Sequence, residues 1–198
     1  MDTRQKIMKA LYPVVMFVSR LTGKNFRTME NDNGATAGSS LYNLSVQLND
    51  GSELRLEKLQ GKKILLVNTA SNCGYTGQYD ELQKLYKQFE SSLVIIAFPA
   101  NDFKEQEKGD DAQIAEFCRV NYGVTFPLAK KSTVIRSPKQ NAIFQWLSTA
   151  GLNGWNNQEP TWNFSKYLVD ENGTLVKYFD PGVSPLSKEV VQAIAQPL

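Results

Sequence analysis

Cys73 lies in Asn72-Cys73-Gly74-Tyr75-Thr76, between the apolar run ILLVNTA and a stretch with helical spacing. A cysteine at a strand-to-helix turn faces the helix N-terminus, where unsatisfied N–H groups and the macrodipole favour an anion. The thiolate is the reactive form of cysteine, and sites of this kind lower its pKa. The same position suits a small buried hydrophobe, the commonest state of a free cysteine, so position alone leaves both readings open. The chain has no histidine. Ser-His-Asp and Cys-His catalysis and the common zinc sites are therefore excluded. Two cysteines, Cys73 and Cys118, are too few for a disulfide scaffold, lack metal spacing and form no C-x-x-C. Redox chemistry or inert thiols remain; no metal site and no cofactor is expected.

The elements that must position Cys73 can be read from periodicity. The 198 residues suit one compact domain with some extra length. KKILLVNTA and SSLVIIAFP read as buried strands. TGQYDELQKLYKQF reads as a helix with Tyr79, Leu82, Tyr86 and Phe89 on one face, and DDAQIAEFCRVNY as another with an acidic start. SPKQNAIFQWLSTAG has Pro138 near its start and Gly151 past its end, as helices prefer. Asn49-Asp50-Gly51 and Glu171-Asn172-Gly173 mark two hairpins, and LSKEVVQAIAQ closes as a helix. Strands mixed with helices, ending in a hairpin and a helix, predict an α/β fold of thioredoxin-like type. A central mixed sheet would be flanked by helices, behind an N-terminal helical extension.

That extension differs from the body. Net charge is +2 overall, which points to no nucleic-acid partner. Residues 1–27 nonetheless hold six basic side chains (Arg4, Lys6, Lys9, Arg20, Lys24, Arg27) against Asp2, leaving the remainder at −3. Ile7, Leu11, Val14, Val15, Val18 and Leu21 share one helical face, interrupted by Pro13. ALYPVVMFV is too short to span a bilayer. The pattern admits a basic amphipathic anchor on anionic lipid, a helix docked on the body, or a secretory signal; the distant Ala35-Thr36-Ala37 weakens the last. Three units are expected: a basic amphipathic segment at 1–26, a flexible Gly/Ser/Asn linker at 27–40 and the main domain at 41–198.

From about residue 40 onward the chain resembles the glutathione peroxidase family. Asn68-Thr69-Ala70-Ser71-Asn72-Cys73-Gly74 resembles its peroxidatic-cysteine motif. Phe98-Pro99-Ala100-Asn101-Asp102-Phe103 followed by Gln106-Glu107 resembles the second, and Trp162-Asn163-Phe164-Ser165-Lys166-Tyr167-Leu168 the third. The resemblance implies a catalytic tetrad of Cys73, Gln106, Trp162 and Asn163. This fits the residue chemistry: without histidine, a thiolate must be held by neutral donors, here two amides and an indole N–H, and hydrogen bonds to the charged form lower a thiol pKa. The thiolate would attack the terminal oxygen of a hydroperoxide, release water or an alcohol and become a sulfenic acid, which a second thiol then captures.

Cys118, 45 residues after Cys73, lies in Glu116-Phe117-Cys118-Arg119-Val120-Asn121-Tyr122-Gly123. This resembles the segment carrying the resolving cysteine in thioredoxin-dependent, two-cysteine, non-selenium members. A core helix cysteine is the alternative. If Cys118 starts far from Cys73, its helix must unwind locally. The resemblance implies a thiol peroxidase active in the response to oxidative stress and recycled by thioredoxin. Glutathione as reductant, or a sensor passing its disulfide to a partner protein, are the alternatives. Three departures stand out: Ala100 where a cysteine is common, Asp102 where Gln is common, and Lys104-Glu105 in place of a Gly-rich pair. The stretch from Ser137 to Trp162 lacks the long insertion of tetrameric members, which implies a monomer. A cytoplasmic location is expected, with membrane contact through the N-terminal segment; an exported form stays open.

Overall fold

The computed structural model describes residues 3–23 and 25–196. Asp2 and Lys24, counted above in the N-terminal charge, lie outside that range. Helix α1 (Thr3–Thr22) precedes strand β1 (Thr28–Glu30). A small hairpin, β2 (Ser45–Gln47) and β3 (Glu53–Arg55), turns through Asn49-Asp50-Gly51 as expected. Then follow β4 (Lys63–Thr69), α2 (Gln78–Gln88), β5 (Leu93–Pro99), α3 (Asp111–Tyr122), α4 (Ala142–Leu147), α5 (Ala150–Asn153), β6 (Lys166–Val169), β7 (Leu175–Phe179) and α6 (Lys188–Ala195).

Five strands form one mixed sheet in the order β1-β7-β6-β4-β5. β4 and β5 run parallel; the β4–β6, β6–β7 and β1–β7 pairs are antiparallel. Side-chain alternation sends Leu65, Val67, Ile95 and Ala97 to one face, where they meet α2, α3 and α6. Ile64, Leu66, Val94 and Ile96 point to the other, against α4. Both central strands are buried throughout, so they read as continuous apolar runs. This is the expected central mixed sheet flanked by helices. Both cysteines belong to the α2–α3 side of the core.

Three expectations need correction. Residues 27–40 are not a free linker. Thr28–Glu30 adds the outer strand to β7, and Arg27 exchanges bonds with Asp180 through N–H groups at 2.9 and 3.0 Å. Ser39 is held by the Leu152 carbonyl and the Trp146 indole. The exposed edge of β7 needs partners for its N–H and C=O groups, and a three-residue strand is too short to announce itself by alternation. The body thus begins near Arg27 rather than residue 41. Next, Pro138 and Gly151 do not bound a helix: α4 starts at an Asn141 cap (Ile143 N–H to Oδ1, 2.9 Å) and Gly151 lies inside α5.

Finally, the expected apolar face of α1 is not the face that docks. Tyr12, Val15 and Met16 pack on the α2–α3 side of the core. The Tyr12 hydroxyl donates to Glu81 Oε1 at 2.8 Å. Its ring lies so close to Gly77 that a Cβ there would sit 2.4 Å from Cγ. Among the six face residues, Ile7, Leu11, Val14, Val18 and Leu21 remain exposed.

Candidate active site

Cys73 follows the C-terminal end of β4 in a series of tight turns that leads into α2, and it is fully buried. Its own N–H bonds Thr76 Oγ1 at 3.0 Å. The Thr76 hydroxyl lies within reach of the Ala70 and Cys73 carbonyls, which closes the turn. That closure aims the Tyr75 N–H at the sulfur, 3.4 Å away. The Gly74 N–H and the side chains of Trp162 and Asn163 lie near enough to favour its anion.

Two further loops bring these donors in. After β5, Gln106 and Glu107 grip the cysteine loop from one side. The Gln106 carbonyl accepts the Asn72 N–H at 3.1 Å, and the Glu107 carboxylate accepts the Ser71 N–H and hydroxyl at 2.8 and 3.0 Å. Asn101 in turn holds the Glu107 N–H at 2.9 Å. Ahead of β6, the Trp162–Phe164 turn is held by Asn68 of β4. The Asn68 side-chain amide donates to the Trp162 carbonyl at 3.0 Å; its Oδ1 accepts the Ser165 N–H and the Asn68 backbone carbonyl accepts the Phe164 N–H. Phe164 sits in the left-handed region (φ 71°), a strained position for an aromatic residue. Its carbonyl is fixed by the buried Lys166 ammonium at 2.7 Å.

All four expected tetrad members meet, with different tasks. Asn163 Nδ2 donates to Gln106 Oε1 at 2.9 Å. Gln106 therefore orients Asn163, while Trp162 and Asn163 address the sulfur. Asn163 Oδ1 is buried without a partner among the described residues, which leaves an open acceptor in the tetrad. The Trp162 ring is half-buried beside Phe103, with centroids 5.5 Å apart, and Lys104 Nζ lies 5.7 Å from its centroid. Lys104 and Glu105 both adopt φ 51°, a conformation that glycine takes without strain. Asp102 accepts the Val134 N–H at 2.7 Å, tying this loop to the body.

The acidity of the nucleophile differs from expectation. Burial pushes the Cys73 thiol up, and the N–H groups of Tyr75, Trp162, Asn163 and Gly74 pull it back only in part. Donor chemistry is visible in residue types; complete desolvation is not. Cys118 faces the same core from α3 as a free thiol. Burial pushes it to about 12, with the Tyr79 hydroxyl lowering it and Glu107 raising it further. The turn beyond it ends at Gly123 (φ 61°), whose N–H bonds the Arg119 carbonyl, while the Val124 N–H takes that of Cys118. Burial also lifts the Glu107 carboxyl to about 7 against its Ser71 bonds and the attraction of Lys131, and lowers the Lys166 ammonium to about 7.

Sequence reasoning missed Asn68, Glu107 and Lys166. The signal was present: each is a polar residue in or next to an apolar run, and such residues are buried only with partners.

A buried cysteine ringed by neutral donors at the end of a central strand defines a thiol-based redox enzyme. The family model for glutathione peroxidase matches residues 41–148. "Glutathione peroxidase-like peroxiredoxin 2" of Saccharomyces cerevisiae is 43% identical over 152 residues, covering 75% of this chain and 92% of that protein. The crystal structure of Trgpx in apo form superposes with a TM-score of 0.59 at 29% identity, over 80% of this chain and 97% of that one. A DsbF homologue from Corynebacterium diphtheriae reaches a TM-score of 0.59 over 86% and 93% of the two chains at 13% identity, a likeness of fold alone. The chain belongs to the glutathione peroxidase family, on a thioredoxin-like fold, and is a peroxidase.

Proposed function

We propose that Cys73 reduces hydroperoxides, that Cys118 resolves the product, and that a thioredoxin-type dithiol regenerates the enzyme. The observation that carries this reading is the buried Cys73 sulfur facing the Tyr75 N–H at 3.4 Å, with Trp162 and Asn163 near enough to favour its anion. In the first step the Cys73 thiolate bonds the terminal oxygen of ROOH and the O–O bond breaks. The leaving alkoxide takes a proton, so sulfur is oxidised to sulfenic acid and the peroxide reduced to an alcohol. Donors already aimed at the sulfur stabilise negative charge as it shifts to the leaving oxygen. Asn163 Oδ1, without a partner, is suited to accept the O–H of an incoming hydroperoxide.

In the second step the Cys118 thiol attacks the sulfenic sulfur, a disulfide forms and water leaves. Both thiols are buried, and a disulfide needs Cα atoms within about 7 Å. The end of α3 is suited to opening: Asn121 and Gly123 are poor helix formers, and Gly123 already leaves the helical conformation. External dithiol then reduces the disulfide. This cycle serves the response to oxidative stress without requiring glutathione.

Steady-state peroxide consumption with thioredoxin or with glutathione tests the cycle, using wild type and Cys118→Ser. Wild type should turn over with thioredoxin. Cys118→Ser should consume one equivalent, stop, and over-oxidise at Cys73. Normal thioredoxin turnover by that variant would refute the two-cysteine cycle.

A further inference from the structure

Eight large apolar side chains are exposed among the described residues, and six of them are in α1: Ile7, Leu11, Val14, Phe17, Val18 and Leu21. Ile7, Leu11, Val14 and Leu21 recur at intervals that place them on one face of a helix, with Phe17 at its margin. The body holds α1 by the opposite side, through Tyr12 and Met16 and the Tyr12–Glu81 hydrogen bond. The exposed stripe is therefore not surface awaiting burial against this body. Continuous exposed apolar surface of this kind marks an interaction site.

Charge selects the partner. Thr3–Thr22 contains no acidic residue, and residues 1–27 carry six basic residues to one acid. Pairing two copies through the stripe would bring the positive charge of two such segments together with no acidic residue in either helix to offset it. An anionic lipid surface complements both the charge and the apolar stripe. No helix among the described residues is long and apolar enough to cross a membrane, so the fitting mode is a helix lying in the interface. The rest of the chain carries a net charge of −3, which turns it away from the same surface.

We infer that α1 docks the enzyme on anionic bilayers through Ile7, Leu11, Val14, Phe17 and Leu21. Docked in this way, α1 would hold the cysteine loop close to the lipid. Gln5 lines a small cleft with Ser71, Asn72, Glu107 and Phe117, so α1 passes over the loop that carries Cys73. A helix with side chains is about 10 Å across, so lipid on its outer face lies within about that distance of the cysteine loop.

Sedimentation with phosphatidylcholine vesicles, with and without phosphatidylserine, tests the contact separately from turnover. The full chain should bind the anionic vesicles at least about tenfold more strongly and lose binding as salt rises. The triple variant Ile7→Gln, Leu11→Gln, Leu21→Gln changes only exposed residues and should keep its melting temperature and its turnover of hydrogen peroxide. It should lose about tenfold or more in vesicle binding. Equal sedimentation of wild type and variant would overturn the lipid contact. So would a wild-type dimer, dissolved by the same substitutions, that ignores vesicles.

Discussion

Replacing Glu107 by Gln should remove a pH dependence of stability that the wild type carries. The Glu107 side chain is 1% exposed, and burial is the main cause that raises its carboxyl from 4.5 to about 7. A shift of that size favours the protonated form by about 3 kcal/mol in the folded state. The sign follows from proton uptake. Between 4.5 and about 7 the folded protein keeps a proton that the unfolded chain has released. The stabilisation is complete below the lower value and is lost as pH rises through the upper one. Glutamine keeps a carbonyl for the Ser71 N–H and hydroxyl, which Glu107 holds at 2.8 and 3.0 Å, but has no such proton to lose. Urea unfolding, followed by tryptophan fluorescence at steps from pH 4.5 to 8, gives both stability curves. Wild type should fall by about 3 kcal/mol relative to Glu107→Gln across that range. Parallel curves would mean that the carboxyl titrates as if in water and that the burial argument is wrong.

Cys73→Ser should abolish peroxide consumption and keep the thermal melt, because the hydroxyl is nearly isosteric but offers no anion at neutral pH; substantial residual activity would remove Cys73 from the nucleophile's role. Trp162→Phe and Asn163→Ala should each raise the alkylation midpoint of Cys73, since burial then acts against fewer donors. Gln106→Ala, acting through Asn163, should raise it less; unchanged midpoints in the first two variants would refute the donor assignment. Glu105→Gly should stabilise the fold by about 1 kcal/mol by relieving its left-handed backbone. A melting temperature equal to or below wild type would contradict the strain. Lys104→Gly relieves the same strain but also removes the cation over Trp162, so only this second variant should alter the pH dependence of Cys73 alkylation.

The buried strands were legible because β4 and β5 are apolar on both faces, and the hairpins because Asn-Asp-Gly and Glu-Asn-Gly tolerate little else. The tetrad was legible through its motifs. The division of labour within it was not, since nothing in the order of residues says that Gln106 reaches Asn163 before it reaches sulfur. Thr28–Glu30 was hidden because an edge strand of three residues is defined by its partner, β7, and not by its own pattern. Helix α1 was legible as a helix but not in its docking. The stronger apolar stripe stays outside, while Tyr12 chooses its side through a single carboxylate, Glu81, and a glycine that leaves room for the ring. The raised pKa values of Cys73 and Glu107 come from enclosure by segments far apart in the chain, which no local window contains.

Lys166 has a consequence for a protein without histidine. Its ammonium, lowered from 10.5 to about 7, holds the Phe164 carbonyl beneath the Trp162–Asn163 turn. Its contribution runs opposite to that of Glu107: it is present at high pH and is lost as pH falls through about 7. The Lys166 share of stability is complete only above 10.5, and the Glu107 share only below 4.5. Both are small near pH 7, so stability should pass through a minimum there. Two buried side chains of opposite charge thus give a chain without histidine a proton response in the neutral range.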